Sequence, residues 1–393
     1  MKGLRLIAAL VATAALAGCA TDKPLNFACT RMKDFREDLP TTPGGEARIA
    51  GGASMVDSIR AALSTSGVAD AGAGPDFLVL SGGGQWGAYG AGFYKGWGKQ
   101  TDPALKRPTF KVVTGVSTGA MQATFAFLGE DAKLVKAYAI SKESELVNRH
   151  GSLFFLNHGS YADLSPLRVR ARELAGPLLD RVAVEADNGR LLYVGAVDAL
   201  DGRMYAINLT RIAKEMKGPE RLECYTGAIL ASAAIPVVFR QVTIDGKPYY
   251  DGGVRNSVFV PAVQQATAEA TAGAPTPGNL YVFINGVPEV KPKTSIKASI
   301  IPTLGRLKSI TFDQIEQSSV YAAHVMASQT QPMNTYVASA RNHGCDEEGQ
   351  KEDIFDPTFM ACLSKAGERA WANGSPWTSY PAGGRPASAS VAR

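Results

Sequence analysis

Residues 110–128 combine a short apolar run, a glycine-containing turn and a helical pattern. Residues 110–113 read FKVV, Gly115, Ser117 and Gly119 then have the G-x-S-x-G spacing, and residues 120–128 form an apolar helix-like stretch. In this spacing the serine lies on a strained strand-to-helix turn, where a Cβ at either glycine would collide with neighbouring backbone. The pattern therefore predicts a strand, a sharp turn and a helix, which together form the repeating unit of an α/β fold.

Ser117 is the candidate nucleophile of this turn. We expect its hydroxyl at the N-terminus of the following helix, where unpaired backbone N–H groups and the helix dipole favour negative charge. This environment suits the oxyanion that forms when a serine attacks an ester carbonyl. The turn therefore points to acyl-transfer chemistry.

Apolar runs and helical patterns alternate along most of the chain. We expect buried strands at residues 77–80, 110–113, 191–194 and 280–284, and helices at residues 88–97, 120–128, 167–174 and 222–234. This alternation predicts an α/β fold with a largely parallel sheet. Residues 203–207 follow an Asp-Gly turn, which predicts a strand that returns antiparallel to the 191–194 strand.

The N-terminal residues have the layout of an export signal. Lys2 and Arg5 precede the apolar stretch 6–16, which is shorter than the roughly 20 residues that a membrane-spanning helix needs. Residues 16–19 read LAGC and resemble the bacterial lipobox, which implies that Cys19 is lipidated and anchors the chain to a membrane. The alternative is an ordinary signal peptide with an incidental cysteine. Ala20 and Thr21, and not an acidic residue, directly follow Cys19, which in the lipoprotein family implies the bacterial cell envelope, at the outer membrane.

The composition divides the chain into five segments. We expect a lipoprotein signal peptide at 1–18, a tether and lead-in at 19–75 with a helix near residues 55–63, and a catalytic domain at 76–290. A C-terminal helical extension at 291–380 should pack on that domain, with a long helix at 304–326, a strand at 335–338 and a helix that begins at Asp356–Pro357. Residues 381–393 are rich in Gly, Pro, Ala and Ser, which predicts disorder.

Charge and cysteine usage exclude some classes of site. The formal net charge of +5 arises from scattered residues, with no basic run that would indicate nucleic-acid binding. Four cysteines remain besides Cys19, and an even number in an exported chain permits disulfides; Cys345 and Cys362 are a possible pair. The spacing of the cysteines and of the four histidines matches no zinc site, so we expect no metal.

A glycine-rich stretch follows the first predicted strand. Residues 81–90 read SGGGQWGAYG, and the N–H groups of Gly82, Gly83 and Gly84 can converge on an anion, as an oxyanion hole or a phosphate cradle. The letters also fit the dinucleotide pattern G-x-G-x-x-G, with Asp102 near the position of a ribose-binding acid. No strand pattern precedes Asp102, which disfavours the dinucleotide site.

A third motif lies after the predicted strand at residues 242–244. Residues 249–253 read YYDGG, with Asp251 before two glycines. Such a sequence is common in tight turns, and on its own it favours a structural role.

Together the three motifs resemble the patatin-like phospholipase family over residues 77–286, about half of the chain. The resemblance implies a three-layer α/β fold with a mostly parallel central sheet and helices on both faces. It also implies a serine–aspartate dyad of Ser117 and Asp251, an oxyanion hole at residues 82–84, a lipid or ester substrate and no cofactor. This chain departs from the family at Ser81, where an acid is usual, and at Gln85–Trp86, where a basic residue is usual.

Two other interpretations remain open at this point. An α/β-hydrolase shares the G-x-S-x-G turn but needs a histidine after the acid, which His324 or His343 would have to supply. A catalytically idle envelope-binding lipoprotein is the other alternative. The sequence does not identify the lipid, the position of the ester bond that is cleaved or any protein partner. It also does not distinguish hydrolysis from acyl transfer to an alcohol.

Overall fold

The computed structural model describes residues 25–39, 53–65, 74–151, 155, 159–260, 263, 278–286, 290, 292, 294–297, 299–328, 333–340, 343–346 and 354–380. The predicted signal peptide, Cys19 and the tail at 381–393 lie outside the described residues. No helix within the described ranges combines the length and the apolar character that crossing a membrane requires.

The described residues form thirteen strands. They are β1 (Leu25–Phe27), β2 (Arg36–Asp38), β3 (Asp76–Leu80), β4 (Val112–Val116), β5 (Asn148–Arg149), β6 (Ala162–Asp163), β7 (Leu191–Asp198), β8 (Met204–Asn208), β9 (Val242–Ile244), β10 (Lys247–Asp251), β11 (Gly278–Ile284), β12 (Met333–Ser339) and β13 (Thr378–Tyr380).

Ten α-helices accompany these strands in the described part of the chain. They are α1 (Met55–Thr65), α2 (Gly87–Gly98), α3 (Thr118–Leu128), α4 (Asp131–Tyr138), α5 (Ser165–Ala175), α6 (Leu179–Asp187), α7 (Leu209–Glu215), α8 (Gly218–Ser232), α9 (Ile300–Ser328) and α10 (Pro357–Arg369). Short 3-10 turns at Gly84–Trp86 and Gly252–Val254 lie beside the site described below.

One large sheet organises the fold. Its main path runs β1-β9-β10-β7-β4-β3-β11-β12-β13, with β8 paired to β7 and β2 paired to β8; β5 and β6 form a separate pair. The five central strands, from β7 to β12, are all parallel to one another, and antiparallel strands lie towards the edges. The predicted α/β fold with a mostly parallel central sheet is confirmed.

The central strands are apolar on both faces because both faces are covered. Along β3, Leu78 and Leu80 belong to one apolar cluster, together with side chains from α2, α3 and α8. The alternate residues Phe77 and Val79 belong to a second cluster, which includes residues of α1. Since successive strand side chains point to opposite faces, the two clusters are the cores on either side of the sheet. The fold therefore has three layers.

Part of the predicted lead-in at 19–75 lies in this fold. β1 pairs with β9, β2 pairs with β8, and a disulfide joins Cys29 to Cys224 in α8. Strands of three residues are too short for their pattern of apolar residues to reveal them. The composition of the segment as a whole, rich in Thr, Pro, Gly and Ala, therefore indicated a tether where the structure has two short strands. The helix expected near residues 55–63 is present as α1.

The C-terminal helix α10 packs closely against α2. A Cβ at Gly92 would overlap the backbone of Ser364, and a Cβ at Gly367 would overlap the carbonyl of Tyr89. Asp356 begins the helix by accepting a hydrogen bond from the backbone N–H of Phe359 at 2.8 Å. Glycines on both helices therefore allow a backbone contact that larger residues would prevent.

We expect the two disulfides to stabilise the protein unequally. The Cys29–Cys224 bond spans 195 residues, and the Cys345–Cys362 bond spans 17. If a disulfide mainly restricts the unfolded chain, the longer loop contributes about 5 kcal/mol and the shorter one about 3 kcal/mol. The paired alanine variants, compared by urea unfolding, should show the larger loss for Cys29→Ala/Cys224→Ala. An equal or reversed order would contradict this loop-length argument.

Candidate active site

The register of the sheet makes β4 and β10 meet end to end. β8 pairs with one edge of β7. On the opposite edge of β7, β4 pairs with Leu191–Gly195 and β10 pairs with Ala196–Asp198. β4 runs parallel to β7 and β10 runs antiparallel to it, so their carboxyl ends point at each other. A catalytic pair can therefore be formed from residues far apart in the sequence.

The last residues of these two strands are neighbours. Val116 pairs with Gly195, and Asp251 pairs with the next residue, Ala196. Ser117 directly follows Val116, and both Ser117 and Asp251 line one cavity. The structure thus brings together the two residues that the sequence motifs selected.

Ser117 occupies a strained turn between β4 and α3. Its φ is +54°, in a region that non-glycine residues rarely adopt. A Cβ at Gly115 would overlap the backbone of Gly119, and one at Gly119 would overlap the carbonyl of Leu80, so both glycines are sterically required. The Ser117 N–H donates to Ser232 Oγ at 3.0 Å. Local strain of about 1–3 kcal/mol is thus maintained by the surrounding packing.

Asp251 is a buried carboxyl with one free oxygen. Its side chain is 1 % exposed, and Oδ1 accepts a hydrogen bond from the Gly253 N–H at 2.7 Å. Within the described part of the chain, Oδ2 has no hydrogen-bond partner. Burial raises the pKa of Asp251 to about 7, while hydrogen-bonding interactions with Ser117 and with the Gly253 N–H act to lower it.

The Ser117 hydroxyl and the Asp251 carboxyl are adjacent in the resting site without a well-formed hydrogen bond. The hydroxyl of Ser117 is near enough to lower the pKa of Asp251, yet among the described residues Oδ2 has no hydrogen-bond partner. Such pairs often tighten only when substrate is bound. Oδ2 is therefore available to accept a proton.

The glycine loop after β3 lies beside the serine. A Cβ at Gly82 would be 3.4 Å from Ser117 Cβ, and Gly83 and Gly84 have φ values of +145° and +55°. A Cβ at Gly83 would overlap the backbone N of Gly286. In the described residues, the N–H groups of these three glycines donate to no protein acceptor. Residues 82–84 therefore offer unpaired donors next to the nucleophile, as an oxyanion hole requires.

A buried polar network fixes the glycine loop. Asn285 and Gln122 exchange side-chain hydrogen bonds at 2.7 and 2.8 Å, and Asn285 Nδ2 also donates to the Ser81 carbonyl at 3.0 Å. The Asn285 N–H donates to Ser81 Oγ, which in turn donates to the Gly82 carbonyl. No local sequence pattern indicates this network, because its members come from three separate parts of the chain. Ser81, where the family usually has an acid, thus has a structural role here.

The cavity at Ser117 has a volume of about 240 Å³. Ser117, Asp251 and the glycine loop form its polar part, and its apolar walls include Trp86, Ile235, Phe312 and Ile354. Phe312 belongs to α9 and Ile354 precedes α10, so the region after the third motif completes the walls. The lining suits an acyl chain next to a reactive carbonyl.

Ser257 and Gln85 also line the cavity and have polar side chains. Ser257 Oγ lies 3.3 Å from the position of a Cβ at Gly82, and the Ser257 N–H donates to Ser319 Oγ of α9 at 3.2 Å. Gln85, where the family usually has a basic residue, accepts from the Asp356 N–H at 3.0 Å. These contacts connect the glycine loop to the C-terminal helices.

His150, His343 and Asp102 do not line the cavity. Among the described residues that line the cavity there is no histidine. His343 Nδ1 accepts from the Cys345 N–H, and His150 contacts Asp163 at 2.8 Å. The side chain of His324, in α9, and the whole of His158 lie outside the described parts. Asp102 is exposed and accepts from the Ala104 N–H in a surface turn, which gives it no part in a site with the glycine loop.

The predicted disulfide and the question of a metal site concern other parts of the chain. Cys345 and Cys362 are bonded to each other, beside the N-terminal half of α10. Within the described ranges, no group of three or more His, Cys, Asp or Glu side chains is arranged to hold a metal ion.

We expect ester hydrolysis to depend on pH through Asp251. Because the base must be ionised and its pKa is about 7, kcat/KM should be constant above pH 8 and fall about tenfold per unit well below pH 7. A soluble, uncharged short-chain ester should be the substrate, with circular dichroism at each pH to verify folding. A midpoint near pH 4, the ordinary range of a carboxyl, would contradict a buried base.

Asn285→Ala should displace the glycine loop without removing any group that contacts substrate. We expect kcat to fall about 10- to 100-fold, since small displacements in an active site have effects of this size, with KM and the pH midpoint little changed. Asn279→Ala is the matched control, because Asn279 bonds to Asp76 at the opposite end of β11. Rescue of kcat by Asn285→Asp or an equal loss in the control would count against a positioning role of the amide.

Comparison with known proteins identifies the domain. The family model for patatin-like phospholipases matches residues 78–263. Among solved structures, the crystal structure of VipD from Legionella pneumophila matches with a TM-score of 0.37 and 11 % identity, over 78 % of this chain and 68 % of that one. A similarity at this level carries no weight in the assignment. A search of curated proteins gave no match. The chain therefore contains a patatin-like phospholipase domain at residues 78–263.

Proposed function

We propose that this protein is a lipid acyl hydrolase of the phospholipase A, lysophospholipase or esterase type, which acts at a membrane surface through Ser117 and Asp251. The observation that carries the proposal is the pairing of a strained serine with a buried carboxyl whose pKa is raised to about 7. The glycine loop and the apolar cavity walls support it.

The proposed reaction begins with attack of Ser117 Oγ on the carbonyl carbon of an ester. Asp251 Oδ2 accepts the hydroxyl proton as Ser117 Oγ bonds to the carbonyl carbon, and the N–H groups of the glycine loop stabilise the oxyanion. The tetrahedral intermediate then collapses, the carbon–oxygen bond to the alcohol breaks, and protonated Asp251 gives its proton to the departing alcohol. The product of this half-reaction is acyl-Ser117.

Water completes the proposed cycle. Asp251, ionised again, accepts a proton from water as the water oxygen attacks the acyl carbonyl. Collapse of the second intermediate releases the fatty acid and returns the proton to Ser117. An ordinary carboxylate is a weak base towards a serine, and the buried position of Asp251 makes it a stronger one near neutral pH.

The dyad can be tested by a double-mutant cycle. Ser117→Ala and Asp251→Asn should each reduce kcat by at least about 1000-fold, and the double variant should lose little more, because residues that act as one unit are not additive. The readout is release of fatty acid from phospholipid and from a soluble ester.

His324→Ala and His343→Ala are the controls for this cycle. In a dyad they should change kcat only as far as they change folding. Loss of several orders of magnitude in a folded histidine variant would instead favour the serine–histidine–acid triad of an α/β-hydrolase. A fluorophosphonate probe that fails to label Ser117 in the folded protein would favour the catalytically idle alternative.

We also propose that the mature chain is a bacterial lipoprotein anchored through Cys19. Cys19→Ser should move the protein from the membrane fraction to the soluble fraction, because an acyl anchor contributes most of its binding energy through the buried chain. Mass spectrometry of the mature N-terminus gives the direct measurement. An unmodified Cys19, or cleavage at another position, would exclude the anchor and with it the proposed location in the outer membrane.

A further inference from the structure

The N-terminal half of α9 presents apolar side chains to solvent beside the cavity. Leu307 is 57 % exposed and Ile310 is 48 % exposed, and Ile296, just before the helix, is 49 % exposed. The opposite side of the same helix contributes Phe312 to the cavity wall and packs on the turn that follows Asp251. One helix therefore separates an exposed apolar strip from the proposed catalytic cavity.

The sequence around this strip is rich in basic residues. Between Glu289 and Asp313 it contains five, Lys291, Lys293, Lys297, Arg306 and Lys308, and no acidic residue. In the whole chain, 41 basic residues are nearly balanced by 36 acidic ones, so this segment departs from the average. Lys297 is exposed, between the apolar side chains of Ile296 and α9.

We propose that residues 296–310, here called the docking segment, bind the surface of an anionic lipid bilayer; this inference rests on the proposed function. Basic side chains attract anionic headgroups, and exposed apolar side chains enter the boundary between headgroups and acyl chains. The docking segment has both. Charge complementarity favours a lipid surface over a protein partner, whose contact area is typically depleted in lysine.

Because α9 forms part of the cavity wall, docking of α9 would bring a bilayer close to Ser117. An α-helix with its side chains is about 10–12 Å across, so a bilayer in contact with the outer side of α9 lies about one helix width from Phe312 and the cavity. A lipid leaving the bilayer would travel a distance shorter than its own acyl chain. The docking segment thus places the substrate source next to Ser117.

Vesicle binding by catalytically inactive protein tests the docking segment. All variants carry Cys19→Ser, to remove the acyl anchor, and Ser117→Ala, to prevent hydrolysis during the measurement. Co-flotation is measured with vesicles of phosphatidylglycerol and, separately, of phosphatidylcholine, at low and high salt. Leu307→Ser/Ile310→Ser tests the apolar strip, and Lys297→Glu tests the charge. Val184→Ser is the matched control, since Val184 is 58 % exposed on α6.

The parent should bind phosphatidylglycerol vesicles more tightly than phosphatidylcholine vesicles, and salt should weaken the binding. Leu307→Ser/Ile310→Ser and Lys297→Glu should each reduce the affinity about tenfold or more, and Val184→Ser should not change it. Equal binding by all variants, or no preference for anionic vesicles, would overturn the proposal. Self-association that Leu307→Ser/Ile310→Ser abolishes, with vesicle binding unchanged, would identify the strip as a protein interface instead.

Activity in solution separates this proposal from the proposed function. With Ser117 intact, the docking variants should hydrolyse a soluble monomeric ester at the parental rate and lose activity only on vesicles. An inactive parent on both substrates would refute the proposed function while leaving the vesicle-binding result to decide the docking segment. Loss of soluble-ester hydrolysis in Leu307→Ser/Ile310→Ser, with folding unchanged, would show that the strip acts on the cavity and not on docking.

Discussion

The burial of the Asp251 carboxyl is the constraint on which the site depends. Desolvation moves its pKa from the ordinary carboxyl range to about 7, so the folded protein binds a proton there that the unfolded chain has already released at pH 5 to 6. By linkage, this group makes the fold less stable as the pH rises from about 4 towards 7. The fold therefore carries a cost at neutral pH for burying the ionised form of Asp251. Among the described residues, the Gly253 N–H offsets part of that cost by a formed hydrogen bond.

The remainder of the architecture keeps that base and the strained serine in place. β4 and β10 end at adjacent positions of β7, a buried strand whose other edge is paired with β8. Apolar clusters cover both faces of the sheet. Because the close approaches at Gly115 and Gly119 leave no room for relaxation, the turn at Ser117 cannot shift without moving the sheet. Rigidity of the scaffold thus supports both the strain and the buried charge.

The parts of this arrangement that could be predicted are those with a local steric cause. A Cβ at Gly115 would overlap the backbone of Gly119, and Gly83 and Gly84 have a positive φ. These requirements act within a few residues of the chain, so they leave a pattern in the sequence. The hydrogen bonds between Gln122 and Asn285 and the walls formed by Phe312 and Ile354 depend on how distant elements pack, which no local pattern encodes. The three-residue strands β1 and β2 were missed for the same reason, since pairing with β9 and β8 defines them.

Docking on a bilayer would change the pKa of Asp251, through water and through charge. A bilayer held against α9 would exclude water from the cavity mouth, and removal of water raises the pKa of a carboxyl. Anionic headgroups would raise it further, because their negative charge opposes the ionised form of Asp251. A bilayer docked on α9 would therefore shift the pKa of Asp251 upward in both ways, against the ionised form on which the proposed reaction depends.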